Sequence, residues 1–165
     1  MAANVLQQVV DGAKTAVTAA STAITNASAV TASKPIKLYS HPGGPNPWKV
    51  AIILNALNLP YETTFMDFGD LKKQPFESIN PNGRVPAIED PNTGLTLWES
   101  GAIIEYLLET YDKGNTLSYT TAKEKWESKC WLHFQMSGQG PYFGQMAWFV
   151  LVCLTLPPSL FFKTC

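Results

Sequence analysis

Along the middle of the chain the apolar residues switch between two spacings. Ile36 to Tyr39 is a short apolar run that leads into the turn-rich stretch His41-Pro42-Gly43-Gly44-Pro45, the pattern of a strand. Val50, Ile53, Leu54 and Leu57 then recur at i, i+3, i+4 and i+7, which predicts a helix with one buried face. Asn46-Pro47 is its expected start, since Asn is a preferred N-cap and Pro suits the first helical position, where no N–H is needed. Leu59-Pro60 ends that helix. Tyr61 to Phe68 predicts a second strand, which completes a βαβ unit with a parallel pair.

A short turn around Pro75–Ile79 precedes the stretch Asn80-Pro81-Asn82-Gly83-Arg84-Val85-Pro86-Ala87-Ile88. A third strand is expected over Val85 to Glu89, with Pro86 unable to donate to a ladder. A proline at a strand start after a turn is a candidate cis residue beside a functional cleft. Asp90-Pro91-Asn92-Thr93-Gly94 predicts a hairpin turn into Leu95–Trp98. Glu99-Ser100-Gly101 then opens a helix in which Ile103, Tyr106, Leu107 and Tyr111 share a face. The order β-α-β-α-β-β-α is the thioredoxin-like topology, an α/β layer fold with a mixed sheet.

Around this middle zone the composition shifts. Residues 1–33 are rich in Ala, Thr and Ser and hold no aromatics, so a flexible tail is expected there. The α/β domain is assigned to residues 34–115, and residues 116–165 to an incomplete helical domain with an atypical apolar tail from 150. Hydrophobic residues make up 45% of the chain and charged residues 15%, which suffices for a core. The formal net charge is −1 and no basic run occurs, which argues against nucleic acid as a partner. Cys130, Cys153 and Cys165 lack paired spacing, so neither a disulfide framework nor a zinc site is expected, and a reducing compartment is. His41 and His133 are too few and too far apart to suggest a metal cluster. No run reaches the roughly 18 apolar residues of a membrane helix, and the N-terminus lacks the h-region of a secretory signal. Cytoplasm is the expected location, without membrane attachment.

The strand–turn–Pro45-Asn46–helix unit, Asn80 to Ile88, and Leu97-Trp98-Glu99-Ser100-Gly101-Ala102-Ile103 together resemble the N-terminal domain of glutathione transferases. The likeness is strongest to the fungal nitrogen-regulator-like members and the bacterial nu-class. It continues through Trp131-Leu132-His133-Phe134-Gln135 to Gly144-Gln145, covering about residues 36–149. The chemistry of the residues fits glutathione independently. Glu99 suits the γ-glutamyl ammonium, and the Ser100 hydroxyl with N–H groups at a helix start suits the adjacent carboxylate. Val85, just before Pro86, would align its main chain with the cysteinyl peptide as an added strand does. The resemblance assigns the same roles to Glu99, Ser100 and Val85. Taken singly, Glu99-Ser100 also reads as an ordinary helix start, and Pro86 as a strand-edge proline.

A transferase must stabilise the glutathione thiolate, which is the nucleophile. The first strand–helix turn holds no cysteine, which disfavours glutaredoxin-like and omega-type chemistry, and Gly44 stands where nu-class relatives often place Thr or Ser. Asn46 is the expected catalytic residue, its amide N–H donating to the sulfur; equally, Asn46 reads as a plain helix cap. Tyr39 and Ser40 are backups, and His41 is expected to be solvated. Arg84 and Lys72 are placed to screen the glycyl carboxylate, or are surface charges. Cys130, with Trp126 and Phe134 at i±4, reads as a packed small hydrophobe. The surrounding aromatics read as core or dimer contact, with Tyr142 and Phe143 bordering the pocket for a hydrophobic co-substrate. The resemblance implies glutathione as co-substrate, a small electrophile or disulfide as its partner, and a homodimer. After Phe149 the likeness ends, and a truncated product is expected, ahead of a short form with an apolar end. A non-catalytic module and an inactive fragment stand as the alternatives to an enzyme.

Overall fold

The computed structural model describes residues 32–151; the expectations for the N-terminal tail, for Cys153 and for the apolar end fall almost wholly outside that range. The elements run β1 (Ile36–Ser40), α1 (Pro45–Ala56), β2 (Tyr61–Phe65), α2 (Phe76–Ile79), β3 (Ala87–Asp90), β4 (Leu95–Trp98) and α3 (Ser100–Tyr111). A helical arm follows, α4 (Ala122–Phe134) and α5 (Gly140–Leu151), joined by a π-helical turn over Gln135–Gln139. The sheet order is β2-β1-β3-β4, with β1 parallel to β2 and the other pairs antiparallel. The thioredoxin-like mixed sheet is therefore present.

Alternation along the central strands divides the core between the two faces of the sheet. Ile36, Leu38 and Ile88 pack with Val50, Ala51 and Leu54 of α1 and with Ile103, Ile104 and Leu107 of α3. Tyr39 and Ala87 point the other way, onto Leu71 and Phe76, so that α2 covers the opposite face. Both faces of β1 are thus buried, which a central strand requires.

Three boundaries differ from expectation. Helix α1 begins at Pro45 with Gly44 as its N-cap, so Asn46 lies inside the first turn and is not the cap. Pro45 itself supplies the fixed φ of a first helical residue, which moves the start upstream. Strand β3 begins at Ala87 and not at Val85, since Pro86 has no N–H to give to the ladder. Strand β2 stops at Phe65, where its pairing with Ser40 of β1 runs out. In addition, α1 ends at Ala56, before Leu59-Pro60, and Asn58 then takes a left-handed φ of 52°.

Two buried carboxylates lock the outer loops. Asp90, at the end of β3, accepts from the Tyr106 hydroxyl (2.6 Å), the Tyr111 hydroxyl (2.5 Å) and the Asn92 N–H (2.8 Å). Asn92 also accepts from the Lys34 N–H (3.0 Å), so one cluster joins the hairpin turn, α3 and the start of β1. Asp112, at the end of α3, accepts from the N–H groups of Thr116 (2.7 Å), Leu117 (2.9 Å) and Ser118 (2.8 Å) and from the Ser118 hydroxyl. Burial raises each carboxyl's pKa, but the donors outweigh it and hold both groups below the ordinary carboxylate value.

Because the folded-state values are depressed, the unfolded chain takes up these protons first as pH falls. The stability they contribute is present above about pH 4 and is lost as pH drops through the depressed folded values. Urea unfolding followed between pH 6 and pH 2 should show that loss, and Asp112→Asn should flatten it. Asp90→Ala, which leaves two tyrosine hydroxyls and an Asn side chain short of an acceptor, should cost about 3 kcal/mol at neutral pH.

Candidate functional site

The stretch from Asn80 to Pro86 is shaped by one buried amide. Asn80 is 1% exposed. Its Nδ2 donates to the Arg84 carbonyl (2.6 Å), its Oδ1 accepts from the Asn82 N–H (2.9 Å), and its carbonyl accepts from the Gly83 N–H (2.8 Å). Gly83 adopts φ +56°, and a Cβ there would come within 2.6 Å of the Leu71 carbonyl, so backbone packs on backbone at this point. Closed in this way, the turn places Val85 half-buried at the edge of the groove, just ahead of β3. Neither its N–H nor its carbonyl bonds to another main-chain group among the described residues. The pairing of β1 with β3 ends at Tyr39 and Ala87, so Val85 lies outside the ladder. The cis bond anticipated at Pro86 is present, and Pro86 is buried behind the turn.

Opposite this turn lies the start of α1. The backbone donors of a helix N-terminus normally stay open. Here Pro45 and Pro47 have none, and the Gly44 N–H is used by the His41 carbonyl (3.0 Å). The Asn46 N–H is left as the open main-chain donor of that first turn among the described residues, at the positive end of the helix dipole. Gly44 also has a steric reason: a Cβ there would meet the Pro47 ring at 3.3 Å, so a Thr or Ser would be crowded. The turn before α1 is braced by the Trp48 indole N–H donating to the Pro42 carbonyl (3.1 Å). His41 is not simply solvated; it is half-buried, its Nδ1 accepts from the Gly43 N–H (3.1 Å), and its ring stacks on Phe68 with centroids 4.0 Å apart.

Asn46, Arg84 and Val85 line one open groove of about 400 Å³, with His41, Phe68 and Lys72 as further walls. Arg84 and Lys72 are both exposed, and the Lys72 ammonium donates to the Asn82 carbonyl beside the groove. Glu99 and Ser100 stand apart from this lining, at the N-terminus of α3. Glu99 holds a φ of 70°, a left-handed conformation that costs a non-glycine residue about 1–3 kcal/mol. Its carboxylate accepts from Asn82 Nδ2 (3.4 Å), which links it to the Asn80 turn. No side chain caps α3, so the N–H groups of its first turn remain open. Ser100 is buried at the first helical position. Tyr39 and Ser40 are buried in the sheet.

The arm corrects one expectation. Cys130 is exposed, as are Trp126, Trp131 and Phe134, and α4 buries no residue at all. The arm meets the α/β domain along a narrow line: Leu132 packs on the core, Lys129 pairs with Glu105 (3.0 Å), and Met136 presses on Gly101. Its other faces have nothing over them among the described residues. Asn80, Asn82 and Met136 were assigned no role from sequence. An Asn that opens a Pro-Asn-Gly turn was the available signal for the first. Among the described residues no helix is long and apolar enough to cross a membrane, and no cluster of three His, Cys, Asp or Glu side chains could hold a metal.

With this geometry in hand, comparison with known proteins defines the class. Residues 34–109 match the model of the glutathione S-transferase N-terminal domain. The α/β part of the chain is thus a glutathione S-transferase N-terminal domain. Ure2-like proteins are among its relatives and structural neighbours. The chain is 56% identical over 115 residues to a glutathione S-transferase-like protein, OpS6, of Beauveria bassiana, a match covering 70% of this chain and 53% of the relative. It is 47% identical over 116 residues to glutathione S-transferase 2 of Schizosaccharomyces pombe, covering 68% of this chain and 50% of the relative. The structure resembles that of the Phanerochaete chrysosporium transferase URE2P6 with oxidized glutathione, with TM-score 0.71 and 46% identity over 79% of this chain and 61% of that one. It also resembles Ure2p in complex with glutathione, with TM-score 0.69 and 39% identity over 72% of this chain and 56% of that one. The chain spans about half the length of the curated relatives it matches.

Gly83→Ala tests the turn directly. The added methyl meets both the left-handed φ and the Leu71 carbonyl, so urea unfolding should report a loss of about 1–3 kcal/mol. An unchanged midpoint would mean that the turn relaxes freely and does not fix Val85.

Proposed function

We propose that this chain binds glutathione across the turn at Val85 and the two helix N-termini, and activates its thiol. The observation that carries the proposal is that a Val85 main chain without a main-chain partner among the described residues shares one groove with the open Asn46 N–H. A peptide laid against Val85 completes its hydrogen bonds as an added strand would. The cysteinyl sulfur then reaches the α1 N-terminus, where a free N–H and the helix dipole favour the thiolate. Glu99 takes the γ-glutamyl ammonium, and Ser100 with the open N–H groups of α3 takes the neighbouring carboxylate. Pro86, buried behind the turn, backs Val85. Arg84, with Lys72, lies where the glycyl carboxylate ends.

The relatives support this reading, since similar structures hold glutathione or oxidized glutathione. The reaction class that follows is conjugation of glutathione to a small electrophile, or glutathione-dependent reduction of a disulfide or peroxide. A cytoplasmic setting, reducing enough to keep the tripeptide as a thiol, suits either. Gly44 favours a second reading, a glutathione-binding module without turnover, because it offers no hydroxyl to help hold the sulfur. A homodimer is part of the proposal only by way of the family.

Calorimetric titration with glutathione, together with assays on an aryl halide and on a glutathione disulfide, separates these readings. Glu99→Gln and Ser100→Ala should each weaken binding about tenfold. Asn46→Pro deletes the open N–H at a helix position that tolerates proline. It should cut turnover tenfold or more while binding changes little; Asn46→Ala, which keeps the N–H, should cut it less. Binding without turnover in the unmodified chain leaves the module, and no binding removes both readings.

A further inference from the structure

Lys49 lies one helical turn after Asn46 on α1 and plays no part in the fold's ion pairs. Its ammonium donates to the neutral Oε1 of Gln135 (2.6 Å), on the π-helical turn of the arm. Among the described residues it makes no salt bridge. Glu99 is nevertheless near enough to act on it electrostatically. Partial burial pushes the Lys49 pKa down and the Glu99 charge only partly restores it, as expected for a cation drawn out of water without a contacting anion.

We propose, on the reading that this site binds glutathione, that Lys49 is a further binding residue, contacting the α-carboxylate of the γ-glutamyl group while Glu99 holds its ammonium, and that Gln135 positions it. The head of that group carries ammonium and carboxylate on one carbon. Recognising it calls for opposite protein charges a few ångströms apart, close but not neutralising each other. Lys49 is brought to the Glu99–Ser100 end of the site by Gln135, whose neighbour Met136 lies against Gly101, and among the described residues no salt bridge neutralises it. The uncapped first turn of α3 offers its N–H groups to the same carboxylate, and a lysine adds a full charge to what the dipole supplies in part.

The arm reaches this end of the site twice. Gln135 holds Lys49, and the next residue, Met136, lies so close to Gly101 that any Cβ there would overlap its sulfur. Gly101 directly follows Ser100, so the π-helical turn grips the first turn of α3 on which the carboxylate site is built. π-helical turns within helices are frequent at functional sites, and here the turn is what carries Gln135 and Met136. The arm thereby joins recognition of the peptide head.

Calorimetry on the full chain with three ligands tests this: glutathione, its γ-aminobutyryl analogue, which lacks the α-carboxylate, and its glutaryl analogue, which lacks the ammonium. Lys49→Met should weaken glutathione and the glutaryl analogue about tenfold and leave the γ-aminobutyryl analogue unchanged. Lys49→Arg should restore most of the loss, and Gln135→Ala should give a smaller loss with the same selectivity. Equal weakening of all three ligands would mean a merely structural role and overturn the proposal, as would no change for glutathione. If the unmodified chain binds no glutathione, the proposed function fails and this inference with it. If it binds but Lys49→Met shows no selectivity, only the inference fails.

Discussion

A single buried amide, the side chain of Asn80, holds the candidate site together. It spends its donor on the Arg84 carbonyl and its acceptor on the Asn82 N–H, and so closes a turn whose own backbone would otherwise be free to wander. Three features follow from that closure. Gly83 is pressed against the Leu71 carbonyl, Val85 leaves the turn without a main-chain partner among the described residues, and Asn82 reaches Glu99 on α3. Water competes poorly for an amide that is fully inside the protein, so each of these bonds is worth more than its exposed equivalent. The groove wall and the Glu99 end of the site are therefore both set through one buried residue, which holds the wall at the Arg84 carbonyl.

The two helix N-termini achieve electrostatic focus by opposite means. At α1, prolines delete donors: Pro45 and Pro47 have no N–H, Gly44 has spent its own, and the field of the helix end is left on the Asn46 N–H. At α3 the donors are left intact and uncapped, and Glu99 is forced into a left-handed conformation immediately before them. A strained residue persists only when its surroundings over-determine it. The hydrogen bond from Asn82 and the pressure of Met136 on Gly101, on either side of the junction, are the constraints that do so. A carboxylate thus stands beside a cluster of open donors, an arrangement matched to a ligand that carries both signs of charge.

Much of this was legible in the sequence because it is local. Periodicity located α1 and α3, turn residues and short apolar runs located the strands, and the Val85-Pro86 and Glu99-Ser100 pairs stood out through residue types with narrow conformational uses. Boundaries slipped where two signals competed. Pro45 and Asn46 both suit a helix start, and the steric preference of Pro45 for the first position prevailed. Val85 carries strand propensity, yet Pro86 after it has no N–H for the ladder, and the strand starts at Ala87. What escaped entirely was nonlocal. The burial of Asn80, the steric reason for Gly44 in the ring of Pro47, and the approach of Lys49 to both Gln135 and Glu99 depend on chain segments meeting in space.

The arm shows the same limit from the other side. Its aromatic spacing reads as core, but Trp126 is 68% exposed and Tyr142 75%, because amphipathic pattern states what a helix face prefers and not what is there to cover it. A helix as apolar all round as α5 gains little from water, and α4 buries no residue, so packing along the arm cannot be what orients it. Orientation has to come from discrete attachments: Lys129 on Glu105, Leu132 on the core, Gln135 on Lys49 and Met136 on Gly101. An exposed ion pair such as the first contributes little. Of the others, the Gln135 and Met136 contacts fall on α1 and the start of α3, the elements that carry Asn46 and Ser100. Whatever disturbs the arm must therefore act first on these contacts, and through them on the charged end of the site.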